Sequence, residues 1–153
     1  MALSKQNSYD FVGMELECSE LTATGQIRGK QNVETLTASK TLTAADTGTT
    51  YFIATDALTI TLPACATAGA GTTYKFVNSG ADGNNIITIS PNSADAIWGT
   101  ITLAASVVDL GGADNKDLIN TKATSIKGDS VEIVCDGTDW FVQNSTGIWA
   151  AEA

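Results

Sequence analysis

"KGDSVEIVCDGTDWFV", residues 127–142, decides the fold class. Val131, Ile133 and Cys135 alternate with Glu132 and Val134, the period of two that sends successive side chains to opposite faces of a pleated strand. Asp136-Gly137 offers the positive-φ turn that matches strand twist, and Trp140 and Val142 resume the buried face beyond it. The stretch predicts a hairpin whose first task is to close a sheet.

The same vocabulary runs back to Val33. Short Thr, Val and Ile runs are broken every 8 to 12 residues or so by Gly, Asn and Asp, the pattern of an all-β sandwich or barrel. In "TTYFIATDALTITLP", residues 49–63, a strand at 51–54 and a turn at Thr55-Asp56 lead to a second strand. That strand sets Leu58, Ile60 and Leu62 on one face and Thr59 and Thr61 on the other, and Pro63, which lacks a ladder donor, ends it. "TTYKFVNSGADGNNIITIS", residues 72–90, reads as another hairpin, with Tyr74, Phe76 and Asn78 on one side, a turn at 79–84 and a strand at 86–90. Residues 47–61 and 70–90 echo one another through Thr-Thr-Tyr, which is read as two similar hairpins and not as a solenoid. In "AIWGTITLAASVVDL", residues 96–110, Gly99 marks a bulge or bend. Threonine, valine and isoleucine predominate where a helix wants Ala, Leu, Glu and Lys, so little helix is expected.

The expected architecture is all-β: an antiparallel β-sandwich or jelly-roll-like domain over residues 33–143, an extended N-terminal arm over 1–32 and a C-terminal tail over 144–153. At 153 residues the chain suits one core. The arm mixes an apolar cluster of Tyr9, Phe11, Val12, Met14 and Leu16 with the polar "TATGQIRGKQN". No single strand or helix face gathers that cluster, so it needs another surface to settle on.

Charge and composition exclude whole classes of function. The formal net charge is -9, which repels phosphate backbones and speaks against a nucleic-acid partner. The close basic pair Arg28 and Lys30 is too small for such a patch. Nowhere does the uninterrupted apolar run of about 18 residues that a membrane helix needs occur, and the N-terminus resembles no signal peptide. Synthesis inside a cell is the expectation, and Asn144-Ser145-Thr146 is then a chance match to a glycosylation acceptor. Cys18, Cys65 and Cys135 are odd in number and far apart, so they read as reduced, mostly buried thiols.

The chain contains no histidine, which removes the Ser/His/Asp and Cys/His arrangements and the commonest metal ligand together. Its 17 acidic residues would permit a paired-carboxylate site, yet any acidic β-protein has such pairs by accident. Asp109, Asp114, Asn115 and Asp117 gather oxygen ligands in a glycine-containing loop, but their spacing departs from an EF-hand and solvated acidic turns explain them. The same holds for Asp82, Asn84 and Asn85, and for Asp136 and Asp139. "AGAG" at 68–71 has no Lys-Ser/Thr and opens no helix, so it is no phosphate loop. The expectation is therefore a non-enzyme with no cofactor and no metal. Tyr51, Tyr74, Phe76, Trp98 and Trp140 sit at strand spacing and are assigned to the core. Tyr9, Phe11, Met14, Leu16 and Trp149 fall outside that spacing and are assigned to partner contact.

The order "TLTAADTGTTYFI", "LTITLP", "TYKFVNSG", "ITISP" and "KGDSVEIVCDGTDWFV" resembles the small β-domain of tailed-bacteriophage structural proteins, especially capsid decoration (cement) proteins and some fibre proteins. The likeness covers residues 41–142. Its most specific piece is Gly128-Asp129-Ser130-Val131, leading through Asp136-Gly137-Thr138 to Trp140. The resemblance implies a homotrimer of sandwich or jelly-roll-like subunits on the outside of an icosahedral shell, near threefold points, with the major capsid protein as partner. It implies a virion protein made in the host cytoplasm, and it carries no catalytic residues. Two other expectations compete with it: a fibre module that holds a host-surface glycan, and a small carbohydrate-active enzyme, for which no acidic pair is nominated.

Overall fold

The computed structural model describes residues 30–103 and 106–152. From Gln31 onward they belong to one compact unit. Residues 1–29 of the expected arm, with Tyr9, Phe11, Met14, Leu16 and also Cys18, lie outside the described residues, whereas Gln31 and Asn32, expected in the arm, belong to the compact unit.

The body is all-β. Its elements are β1 (Val33–Leu36), β2 (Lys40–Thr41), β3 (Thr49–Ile53), β4 (Leu58–Thr61), α1 (Cys65–Ala68), β5 (Thr73–Asn78), β6 (Ile87–Ser90), β7 (Ile97–Trp98), β8 (Thr100–Leu103), β9 (Ser106–Asp109), β10 (Leu118–Asn120), β11 (Ser130–Cys135), β12 (Trp140–Thr146) and β13 (Ala150–Ala151). A six-stranded sheet has the order β1-β3-β5-β11-β12-β7, a five-stranded sheet the order β13-β10-β6-β4-β2, and β8-β9 form a separate ribbon.

The pairing is mixed, which corrects the purely antiparallel expectation. From β1 to β6 successive strands alternate between the two large sheets, and within each sheet they stack in parallel: β1 on β3 on β5, and β2 on β4 on β6. The chain therefore winds around its core in coils, and the segments at 51–62 and 74–90 are not hairpins. Four residues, 54–57, separate β3 from β4, and they carry the chain across the core instead of turning it back beside β3. The gain is like-on-like stacking. Ile60 aligns with Ile89 and Leu58 with Ile87, while Tyr51 stacks on Phe76 with ring centroids 5.7 Å apart and 17° between planes. The echo between 47–61 and 70–90 is thus the repeat of a coil, as stacked-repeat architectures use it.

Strands β11 and β12 do form the expected antiparallel hairpin, with Val131, Ile133, Cys135 and Trp140 buried. The turn, however, takes four residues: Cys135 faces Trp140, and the Asp136 carboxylate accepts from the N–H groups of Thr138 and Asp139 at 2.7 and 2.9 Å. A side-chain-capped loop thus replaces the two-residue turn. Those bonds, the one from Asp139 foremost, hold the Asp136 carboxyl below its ordinary pKa.

One hydrophobic core joins the inward faces of both large sheets, including Tyr51, Phe76, Ile133 and Trp140 from one and Ile60, Ile87, Ile89 and Leu118 from the other. Residues 144–151 belong to this body and not to a tail, because β12 runs to Thr146 and β13 pairs with β10. Between them Trp149 is fully buried.

Candidate functional site

Strand alternation leaves the six-stranded sheet with an outward face whose composition the register defines. Three rows of side chains cross it. One is Val33, Thr50, Lys75, Glu132 and Asn144. The next is Thr35, Phe52, Val77, Ser130 and Thr146. The third is Thr73, Val134, Phe141 and Trp98. Phe52, Phe141 and Trp98 are 37%, 37% and 39% exposed, so this rigid surface presents three aromatic side chains to whatever meets it. Burying such side chains stabilises a contact by about 1.5 to 3 kcal/mol each.

Trp98 corrects an expectation: strand spacing assigns it to the core, yet it lies on the outer face. The reason is the parallel pairing of β7 with β12, which aligns Ile97 with buried Trp140 and Trp98 with outward Phe141. Its orientation is fixed on two sides. The indole N–H donates to the Asp139 carboxylate at 3.2 Å, and the ring lies so close over Gly112 that a Cβ there would overlap it. The second oxygen of Asp139 accepts from the Ala96 N–H at 2.8 Å, which ties the hairpin loop to the start of β7.

Trp149 corrects another. Expected to meet a partner, it instead fills the protein's own core, its backbone N–H bonded to Thr102 O at 3.0 Å and its indole N–H to Thr146 O at 3.1 Å. A large apolar ring with its one donor satisfied is a stable core residue, and strand spacing missed it because Gly147 breaks the period between β12 and β13.

At one end of the core a buried polar seam links the two sheets. Asn78 of β5 donates to Asn120 Oδ1 of β10 at 2.9 Å, and Asn120 donates in turn to Asp129 Oδ2 and to Ile148 O, each at 2.9 Å. Asp129 also accepts from the Ile126 N–H at 2.9 Å, and Asn78 Oδ1 from the Gly80 N–H at 3.0 Å. Asn85 joins the seam by donating to Asn78 Oδ1 at 3.3 Å and leaves its own buried Oδ1 without a partner, while the bonds among Asn78, Asn120 and Asp129 fix the loops around them. The sequence places Asn78 on the inward side, but nothing in it nominates Asn120 or Asp129 as its partners.

The acidic loop residues are engaged separately. Asp109 accepts from the Gly111 N–H at 3.0 Å, the Asn115 N–H donates to Asp95 O at 3.0 Å, and the Asp117 N–H donates to Glu152 at 3.4 Å. Asp82 accepts from the Lys127 N–H at 2.8 Å. Among the described residues no group of three acidic or thiol side chains converges as a metal ion requires. Of the described cysteines, Cys65 and Cys135 are both buried and free. Burial pushes the Cys65 thiol well above its ordinary pKa, with the neighbouring Cys135 adding to the shift, which suppresses the thiolate that nucleophilic chemistry needs.

The main charged cluster is structural. Lys40 Nζ lies 2.6 Å from Glu34 and 3.4 Å from Asp46, and 5.2 Å from the centre of the Tyr51 ring. The bond to Glu34 is the chief reason the Lys40 pKa is raised. Burial is the chief reason that of Tyr51 is pushed up to about 12. Together these contacts brace β1, β2 and β3 at the first coil. What the described surface offers is shape and apolar contact on the outer face of the six-stranded sheet, where Gln31 donates to Thr50 at 2.7 Å and lines a pocket with Thr73, Lys75 and Glu132.

No protein-family model matches this chain, and the search of curated proteins finds no match. No helix among the described residues is long and apolar enough to cross a membrane.

Proposed function

We propose that this protein works by adhesion, as a structural virion protein of the capsid-decoration kind. In this reading it sits as a homotrimer on the capsid exterior, bound to the major capsid protein, and its two sheets with their common core are a sandwich related to the jelly roll. The observation that carries the proposal is the outer face of the six-stranded sheet, where Phe52, Trp98 and Phe141 stand exposed on a rigid scaffold and Trp98 is held in place by Asp139 and Gly112. Preset aromatics are the anchors of interfaces; in this reading they join the three copies to one another, and residues 1–29 supply the attachment to the shell. The resemblance of residues 41–142 to phage structural β-domains supplies the setting.

The mechanism is linkage. A protein that binds the closed shell and not its separated subunits stabilises the closed state, and three linked attachments multiply weak contacts through effective concentration. The test is co-sedimentation of purified chain with shells that lack their decoration protein, comparing the full chain with one lacking residues 1–29. Saturable binding by the full chain, lost on truncation while the β-body stays folded, is the expected result. No binding by the full chain overturns the proposal, and unchanged binding by the truncated chain removes the arm from it.

The exposed pair Trp98 and Phe141 also favours a second reading, a module that stacks host-surface sugars on those rings. Glycan-array binding without affinity for shells would select it.

A further inference from the structure

We propose that the outer face of the six-stranded sheet is the surface on which a second copy of this chain docks, Lys75 of one copy set against Glu132 of the next around a threefold axis. The inference rests on the trimeric reading above for the number of copies, and on the charge and layout of the face for everything else.

The charge is the first argument. The chain carries a net charge of -9, so two copies repel each other over most approaches. The three rows on the outer face contain one lysine and one glutamate, Lys75 and Glu132, and otherwise Thr, Ser, Asn, Val, Phe and Trp. With Asp139, which holds the Trp98 indole at its edge, the face carries two carboxylates and one ammonium, far less acidic than the chain as a whole, so it is where two acidic copies meet at least cost. Lys75 and Glu132 are direct cross-strand neighbours, yet among the described residues neither makes an ion pair. A basic partner would gain more from the acidic surface elsewhere, and an acidic partner would meet Glu132 as readily as Lys75. A copy of the same face is complementary to both charges at once.

The layout is the second argument. The sheet order β1-β3-β5-β11-β12-β7 divides at the β5/β11 ladder. One half bears Val33, Phe52, Lys75 and Val77, the other Glu132, Val134, Phe141 and Trp98. When three such faces look toward an axis inclined at roughly 45° to the strands, the diagonal that levels Phe52 with Phe141, the first half of each copy abuts the second half of the next. Lys75 then approaches the neighbour's Glu132, and Phe52 and Val77 meet the neighbour's Val134, Phe141 and Trp98. Each copy supplies both sides of a heterologous contact, which three copies close into a ring. Apolar contact gives the affinity, and the charge pair fixes the register.

The experiment is mass in solution, by sedimentation equilibrium on the full chain with no shells present, for wild type, Lys75→Glu, Glu132→Lys, the double reversal, and Phe141→Ser. The wild type is expected at three times the chain mass. Each single reversal places like charges together and weakens assembly by at least about tenfold. An equimolar mixture of the two single reversals, and the double reversal alone, are expected to recover assembly, and Phe141→Ser to weaken it. A wild type of one or two chain masses overturns the proposal. So do single reversals that assemble like wild type, or a double reversal and a mixture no better than the singles. Circular dichroism on each variant identifies a folding defect, and the rescue arms keep the charge test decisive if one single variant folds poorly. A trimer that responds to these charges but ignores shells would refute the capsid reading and leave this inference standing, and a monomer that binds shells would do the reverse.

Discussion

Gly112 sits directly beneath the Trp98 ring with φ +55, in the left-handed region where a side chain is strained even in open space. Here the space is filled as well, since any Cβ would overlap the indole. Gly112→Ala must therefore displace Trp98 from Asp139 or distort the loop. The expected cost is about 1 to 3 kcal/mol, the range for a strained backbone position combined with overpacking. Thermal unfolding would register the loss, and a change in tryptophan emission at unchanged far-UV circular dichroism would locate it at Trp98. Strand spacing is blind to this contact: "IW" and "GG" lie 14 residues apart with nothing in between that pairs them. Spacing read the buried positions well where alternation was unbroken, as in Val131, Ile133 and Cys135, and misread Trp98 because β7 is only two residues long. Two residues define no period.

Among elements, the strands were legible and their partners were not. The segments that became β3, β4, β5, β6, β11 and β12 announce themselves by alternation and by the turn residues that bound them. Whether neighbours in sequence pair with each other or cross the core is decided by what stacks on what, and Tyr51 on Phe76 is a contact between coils that no local pattern contains. The polar seam is likewise an agreement among distant elements. Asn120 is its centre, receiving one bond from Asn78 and giving one each to Asp129 and Ile148. Asn120→Ala would leave a buried amide, a carboxylate oxygen and a carbonyl short of partners together. The expected loss is about 3 kcal/mol or more, since each orphaned buried group costs about 1 to 3 kcal/mol and a charged one more. Urea unfolding measures the total, and faster hydrogen exchange at the Ile126 N–H, which Asp129 holds, would show that the seam has opened.

At the scale of the whole molecule the fold is closed by its last strands. β11 and β12 complete the six-stranded sheet around β5, and β13 flanks β10 at the edge of the other sheet, so early coils wait for late segments. Pairings this distant in sequence belong to slow-folding topologies, because loop closure must precede the contacts that repay it. The C-terminal stretch, which composition marks as a ragged tail, is where this dependence is sharpest. Trp149 is fully buried, Asn120 bonds to Ile148 O, and Gly147, at φ +86, packs against the Asp129 carboxylate where a side chain would not fit. Removing residues 147–153 therefore takes away a core indole, one arm of the polar seam and the edge strand β13 in a single step. A buried Trp alone is worth about 3 to 5 kcal/mol on truncation to Ala, a large share of the about 5 to 15 kcal/mol that stabilises a domain. The shortened chain is expected to lose its cooperative unfolding transition or to accumulate as insoluble protein. Trp149→Phe, which keeps most of the apolar volume and drops the bond to Thr146, is expected to fold with a smaller loss. Parallel urea titrations of the three proteins decide the matter: a truncated chain that unfolds at the wild-type midpoint would mean that the body closes without its C-terminal strand.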